Sequence, residues 1–312
     1  MVISHGMPWD SGALAFPPWG RGLRLSVAPR RAIRNGLGLF DAHNPWRSAA
    51  VRLTRGLVDF GGSAAWQWLG AQEPMDPDWW MALCTTVVEP VAGAVGSAAL
   101  ARRSDRFDVL FMDEDGVPNA FLKLGWSSES EDRIQREVQI LKHFVNHPPG
   151  RFRVPQILAS GEFEGQRYRL FEPLPDGVHT RPAPDALRIG SVVDEFQACL
   201  GDLEKSPDIP RHYVPGHGDF THRNLRMACD GNLWLFDWEY CEWMPPLADE
   251  LRYWAAHYAF AIMPRPRAAA RKIVDTLRHR GTVNDIREAV VWPEFNRPVE
   301  QAIRQAVGRI VA

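Results

Sequence analysis

The chain has 312 residues, 45% hydrophobic and 24% charged, which is ample apolar material for one large bilobal domain or two modest ones. A formal net charge of -2 gives no global attraction to nucleic acid, so no nucleic-acid partner is expected. Its 4 cysteines (Cys84, Cys199, Cys229 and Cys241) match neither a C-x-x-C metal pair nor a dense disulfide framework, which fits reduced thiols in the cytoplasm.

The N-terminus shows no basic start followed by an apolar core, and the most apolar later stretch, residues 82–100, is interrupted by Glu89 and Pro90. Neither a signal peptide nor a membrane span is expected. Residues 1–84 are rich in Trp, Arg, Gly and Pro and read as an N-terminal extension, with one candidate helix between Ala49 and Trp68. Between Arg21 and Arg55 lie Arg24, Arg30, Arg31, Arg34, Arg47 and Arg52 with only Asp41 to offset them, a pattern that suits a solvated face or an anionic partner.

From residue 85 to 172 the pattern becomes short β-like runs: Ala98 to Leu100, Asp108 to Met112, a turn at Asp115-Gly116, then Ala120 to Leu124. A helix follows, with Ser128 and Glu131 at the spacing of a capping box and a stop before His147-Pro148. Ile134, Val138, Leu141 and Val145 recur at helical spacing and predict its inward face. Glu137 falls on or beside that stripe, where an acid needs a cationic partner.

Among the basic residues only Lys123, Lys142, Lys205 and Lys272 are lysines, so a lysine at the end of the strand preceding Glu137 is informative. Strand lysine followed by helix glutamate is the order in which kinases build the ion pair that grips nucleotide phosphates. Lys123 and Glu137 are the candidates. Two further strands are expected at Gln156 to Leu158 and from Tyr168 onward, and Phe171, Glu172 and Leu174 would form a hinge whose backbone reads an adenine edge. Beyond residue 173 the chain reads as mainly helical, with a helix at 186–203 and several more after Ala248, punctuated by Pro264, Pro266, Gly281, Pro293 and Pro298.

The chemistry concentrates between His217 and Glu239. His217-Gly-Asp219-Phe-Thr-His-Arg-Asn224 has the form H-G-D-x-x-x-x-N; a hairpin turn at Asp230-Gly231 and an apolar strand ending in Asp237 follow. In phosphoryl transfer an enzyme aligns an acceptor hydroxyl with the γ-phosphate and neutralises charge on the moving oxygens. Asp219 would accept the hydroxyl proton, while Asn224 and Asp237 offer the hard oxygen ligands that Mg²⁺ requires. Glu239 would support the metal loop, and His217 would anchor the catalytic loop rather than carry a proton, since Asp219 holds that role.

H-G-D-F-T-H-R-N and L-F-D-W-E resemble the catalytic and metal-binding motifs of the aminoglycoside phosphotransferase/choline kinase family, and Pro246-Leu-Ala-Asp249-Glu-Leu251 is similar to its proline-then-D-L segment. Over about residues 90 to 260 the resemblance implies an α+β, bilobal protein-kinase-like fold. A β-rich N-lobe (85–172) would precede a helical C-lobe (173–312), and Asp249 would play a structural part. It also implies ATP or GTP with Mg²⁺ as cofactors and a small hydroxylated acceptor. At the position of a nucleotide-covering loop the chain offers only Gly93-Ala-Val-Gly96-Ser97, which leaves the choice of nucleotide open.

The acceptor is the least constrained element. The 13 tryptophans, Trp238 and Trp243 foremost, can stack on sugar faces or amines, and a cationic antibiotic would call for an acidic pocket that Glu239, Glu242, Asp249 and Glu250 supply only in part. The expectation is phosphorylation of a sugar, glycan-pathway intermediate or other small alcohol. The alternatives are an aminoglycoside-type antibiotic kinase and a catalytically weak kinase-fold binding protein.

Overall fold

A computed structural model describes residues 13–16, 23–26, 30–37, 53–57, 60, 71–73, 76–102, 105–176, 185–260, 265–292 and 297–312. The chain divides into two compact units, one of residues 1–134 with 155–177 and the other of 135–154 with 178–312.

The first unit is built on an eight-stranded sheet in the order β3-β1-β2-β4-β5-β6-β8-β7. Its strands are β1 (Ala13–Phe16), β2 (Leu23–Ser26), β3 (Ala71–Glu73), β4 (Ser97–Arg102), β5 (Arg106–Met112), β6 (Pro118–Gly125), β7 (Ile157–Phe163) and β8 (Gln166–Phe171). Neighbouring strands pair antiparallel throughout. Three of them, β1 to β3, come from the first 84 residues and extend the sheet that the 85–172 segment builds. Of the candidate helix between Ala49 and Trp68, residues 53–57 are helical; the rest, apart from the single helical position 60, lies outside the described residues.

The β5–β6 turn shows local chemistry setting register. Asp113 accepts from the backbone N–H of Val117 through Oδ1 (2.8 Å), and Gly116 adopts φ 78 with its N–H on the Asp113 carbonyl (3.0 Å). A Cβ on Gly116 would also lie 2.5 Å from the backbone nitrogen of Ala32, so only glycine fits. Against the sheet packs α2 (Pro77–Leu83), capped by the Asp76 carboxylate on the N–H groups of Asp78 and Trp79 and continuing through a π-turn (Cys84–Val88) into α3 (Glu89–Ala92). Helix α1 (Arg30–Gly36) precedes them. Trp80, Leu83, Val88, Leu100, Phe111 and Leu122, all buried, form the centre of this core, each contributing roughly 1.5–3 kcal/mol by leaving water.

Helix α4 (Ser128–Asn146) departs from expectation in two details. Its cap is Ser127, not Ser128: the Ser130 N–H reaches Ser127 Oγ (3.1 Å) and the Ser127 N–H reaches Ser130 Oγ (3.3 Å), a reciprocal box one residue earlier. Glu131 instead faces Arg167 at 3.8 Å. Val145, in the last turn, is exposed although it satisfies the spacing, and Phe144 is the buried residue there beside Ile134, Val138 and Leu141. Glu137 is buried on the stripe.

The second unit is mainly helical, with α5 (Ala186–Cys199), α6 (Ala248–Ala259), α7 (Pro266–Leu277), α8 (Val283–Val291) and α9 (Pro298–Val311). Pro266 and Pro298 occupy first-turn positions where their missing N–H costs nothing, and Thr282 with Asp285 makes a capping box for α8. Two small hairpin-like ladders are set among the helices: β9 (Val214–Gly216) with β12 (Glu242–Met244), and β10 (Leu225–Met227) with β11 (Leu233–Leu235). Phe144, Phe152, Phe196 and His217 surround the fully buried Trp238, with ring centroids 4.5 to 6.4 Å away. Among the described residues no helix is long and apolar enough to cross a membrane. The overall class is α+β, one sheet-based unit and one helical, as the motifs implied.

Candidate active site

The H-G-D segment lies in the second unit, between β9 and β10. Its first anchor is Asp249 in the first turn of α6. The Asp249 carboxylate accepts the backbone N–H of His217 (2.7 Å) at Oδ2 and that of Gly218 (3.2 Å) at Oδ1. Complete burial pushes its carboxyl up to about 7, a rise that these two N–H groups partly offset. Gly218 has φ 78, and any Cβ there would fall 2.1 Å from the Tyr240 carbonyl oxygen.

His217 supplies the second anchor. Its Nδ1 accepts the N–H of Asp219 (3.2 Å), so the proton sits on Nε2, which donates to the Phe236 carbonyl (3.0 Å). Burial pushes this imidazole below its ordinary range and keeps it neutral. One ring thereby ties the H-G-D turn to the strand end that carries Asp237.

The β10–β11 hairpin brings Asn224 and Asp237 together. Asp230 closes it by accepting the Asn232 N–H (2.9 Å), which lowers the Asp230 carboxyl, and Gly231 takes φ 82. With Leu225 opposite Leu235 in the ladder, Asn224 must lie opposite Phe236, whose N–H reaches the Asn224 carbonyl (3.2 Å). Asp237 follows at once, at φ 70, a left-handed conformation that turns the chain into the short 3₁₀ segment Trp238–Tyr240. Glu239, on that segment, is buried, and Glu137 Oε1 accepts the Trp238 N–H (3.3 Å) from α4.

Around Asp219 the contacts are specific. The Asn224 amide donates to both Oδ2 and the backbone carbonyl of Asp219 (2.9 Å each). Its Nδ2 is thus committed, and its carbonyl oxygen is the group left to accept a cation. Arg252 on α6 donates from Nε (2.9 Å) and Nη2 (2.6 Å) to Asp219 Oδ1. Sequence reasoning missed Arg252, although a signal was present: it is three residues after Asp249, on the same side of the helix. His222 and Arg223 are buried, His222 near the rings of His257 and Phe260 and Arg223 3.9 Å from Glu300.

A concavity adjoins this loop, lined among others by Gly218, Met244, Arg252, Ala255, Trp292 and Arg304. Glu250 does not add acidity to it, because its carboxylate engages Arg280 at 3.3 Å. Trp243 is also committed, its Nε1 on the Glu204 carbonyl (3.2 Å) and Lys205 4.4 Å over its ring.

The remaining candidates belong to the first unit. Lys123 is buried on β6, with Asp108 of β5 and Arg169 of β8 as its cross-strand neighbours and the Phe171 ring 5.9 Å from Nζ. Asp108 escaped the sequence reading, yet it is buried and holds Arg106 at 2.8 Å. Phe171 ends β8; the Glu172 N–H donates to the Gln156 carbonyl (2.8 Å), its carboxylate accepts the Gln156 N–H (3.2 Å), and Leu174 is half-buried beyond it. Gly96 abuts the Glu114 backbone where a Cβ would clash at 2.4 Å, and Gly93 caps α3 at φ 83. Of the arginine-rich stretch, Arg21, Arg47 and Arg52 lie outside the described residues, while Arg31 pairs with Asp176.

Residues 101–212 match the model of the phosphotransferase enzyme family, a span that contains Lys123 and Glu137 and ends just before His217. No curated protein sequence matches. Among solved structures, similarity is found to a mutant of aminoglycoside 2'-phosphotransferase-IIIa in its GDP complex (13% identity, 68% of this chain and 85% of that one, TM-score 0.46). Others are ADP-bound aminoglycoside phosphotransferase APH(2'')-Ib (9%, 75% and 99%, TM-score 0.43) and spectinomycin phosphotransferase APH(9)-Ia with ADP and spectinomycin (10%, 77% and 86%, TM-score 0.42). Over residues 101–212 the chain is thus similar to the phosphotransferase enzyme family, while its H-G-D and L-F-D motifs lie beyond the matched span.

Proposed function

We propose that this protein transfers the γ-phosphoryl group of a nucleoside triphosphate, ATP or GTP, to a hydroxyl of a small molecule. The observation that carries the reading is the fixing of Asp219: Arg252 occupies Oδ1 with two donors and Asn224 occupies Oδ2 with one. A carboxylate offers about four lone-pair directions. One on Oδ2 is thus left to take the acceptor's O–H, and Asp219 holds and finally receives that proton as the oxygen attacks phosphorus.

Asn224 and Asp237 fit Mg²⁺ by chemistry, an amide oxygen and a carboxylate on backbone that adjoins at the end of one hairpin, and they would hold it there. Bound Mg²⁺ would neutralise phosphate charge. Lys123 would grip the nucleotide phosphates, and Glu137 keeps the Asp237 turn in place through the Trp238 N–H. The N–H donors on Asp249 and the His217 bridge make the loop rigid, which is what an alignment mechanism needs.

For the acceptor, the concavity beside Gly218 presents Arg252, Arg304 and the Trp292 ring. The lining also carries Asp249 and Glu300, so its two guanidiniums are matched by two carboxylates, and the Trp292 indole is the feature that suits a polyhydroxylated or sugar-like alcohol. Purified protein with Mg²⁺ and ATP or GTP is expected to melt at higher temperature, and Asp237→Ala to abolish that shift. A panel of sugars, amino alcohols and aminoglycosides, scored by acceptor-stimulated nucleotide consumption, then identifies the acceptor class. Absence of any nucleotide-dependent shift would sink the reading in favour of a kinase-fold binding protein.

A further inference from the structure

A cluster away from the H-G-D loop gathers two imidazoles and a carboxylate. His143 lies in the last turn of α4, and His147 follows with its N–H still on the His143 carbonyl (3.1 Å), so their i, i+4 spacing is held by a helical hydrogen bond. Their rings stack at 4.5 Å and 22°. Asp202, just past α5, faces both: Oδ1 is 3.0 Å from His143 Nε2 and Oδ2 is 3.6 Å from His147 Nε2.

The two elements are also fixed to each other independently of these side chains. Glu195 of α5 accepts the N–H groups of Gly150 (2.8 Å) and Arg151 (2.9 Å) from the loop that follows α4. His143 itself is tied to α5, its Nε2–H donating to the Cys199 carbonyl (2.8 Å), a bond that an ion on this nitrogen would replace.

We propose that His143, His147 and Asp202 bind a divalent cation of the zinc class, with water completing the shell. In a tetrahedral site with ligands about 2.0–2.1 Å from the ion, donor atoms lie about 3.3 Å apart. The 3.0 and 3.6 Å distances run to the two different oxygens of Asp202, and one ligand atom from each of the three residues falls within 4.8 Å of the others, so side-chain rotation is required to reach that spacing. Two imidazole nitrogens and one carboxylate oxygen suit Zn²⁺, Co²⁺ or Ni²⁺, whereas Mg²⁺ prefers oxygen ligands and water. The ordinary alternative is a hydrogen-bonded surface trio. It accounts for the His143–Asp202 contact and, through the i, i+4 spacing, for the ring stacking, so metal titration decides between the two. The bound ion would fasten the end of α4 to the end of α5.

Untagged, chelator-treated full-length protein would be titrated with Zn²⁺ by calorimetry and with Co²⁺ by visible absorption. One equivalent should bind, unaffected by excess Mg²⁺, with affinity falling as the pH is lowered, because a ligating imidazole must give up its proton. His147→Ala and Asp202→Ala, both changes at solvent-accessible positions, should each weaken binding at least about tenfold. Cys229→Ser, which removes the exposed thiol, should leave it unchanged. Absence of saturable binding, equal binding by both variants, or loss in Cys229→Ser would overturn the proposal. The nucleotide-dependent melting shift is read separately and does not depend on this result.

Discussion

The two units bury charge in different ways. In the sheet unit the buried charges ride on a regular ladder: Asp108 and Lys123 are paired positions on adjacent strands, and Arg106 reaches Asp108 from two residues along the same strand. In the helical unit the buried acids Glu137, Asp249, Glu250 and Glu300 ride on helices, while His217, His222, Arg223 and Glu239 lie on irregular backbone near Gly218 at φ 78 and Asp237 at φ 70. A ladder fixes direction but leaves every backbone group paired with another strand. An irregular loop frees N–H groups to be held by side chains, and Asp249 and His217 use that freedom to hold Asp219 and Asp237. The lesson is that helix-borne Asp249 and the buried His217 ring hold a loop that no regular secondary structure supports.

That contrast can be broken most sharply at Asp219. Asp219→Asn should lower turnover on the order of 10²- to 10⁴-fold while the nucleotide-dependent melting shift survives; undiminished turnover in the identified acceptor assay would remove Asp219 from the proton-accepting role. Next comes packing. Trp238→Ala, which empties the aromatic shell beneath the loop, should cost roughly 3–5 kcal/mol, and Phe111→Ala in the sheet core should cost about the same. Denaturant melts of both variants test whether only the first also reduces turnover.

Arg252→Met should reduce kcat more than KM, with Arg252→Lys recovering part of the loss, because the lysine keeps the charge but not the paired donors on Asp219. Equal effects on substrate affinity alone would reassign Arg252 to substrate binding. A smaller, pH-dependent effect is expected at His217. Its folded-state imidazole titrates below the ordinary value near 6.5, so the unfolded chain binds the proton more readily and stability conferred by the neutral ring is lost as pH falls below about 6.5. The melting-temperature difference between wild type and His217→Gln should therefore shrink from pH 8 to pH 5.5. A constant difference would show that the ring gains its proton without cost. Smallest of all, Ser127→Ala should destabilise by about 1 kcal/mol as the cap of α4 is lost.

Much of this was legible in the sequence where spacing is short. The β5 and β6 strands, α4, the Asp230-Gly231 hairpin and the Asn224–Asp237 juxtaposition follow from alternation, helical repeats and turn residues acting over a few positions. The added strands β1 to β3 were not legible. They are only three or four residues long, too short for a repeat to register, and they depend on pairing with β4 and with one another across the sheet. Arg252 and Asp108 escaped for a related reason: a charged residue looks solvated until the fold brings a distant partner to it. Val145 misled because an exposed valine satisfies the same spacing rule as a buried one.

The close approach of Gly218 to the Tyr240 carbonyl bears on how this protein can be re-engineered. No side chain fits there without moving the loop, so a library meant to widen acceptor range would waste its diversity at that codon. Ala255 and Ala289 also line the concavity but are buried, so the partly exposed Trp292 is where selection for a new acceptor should begin.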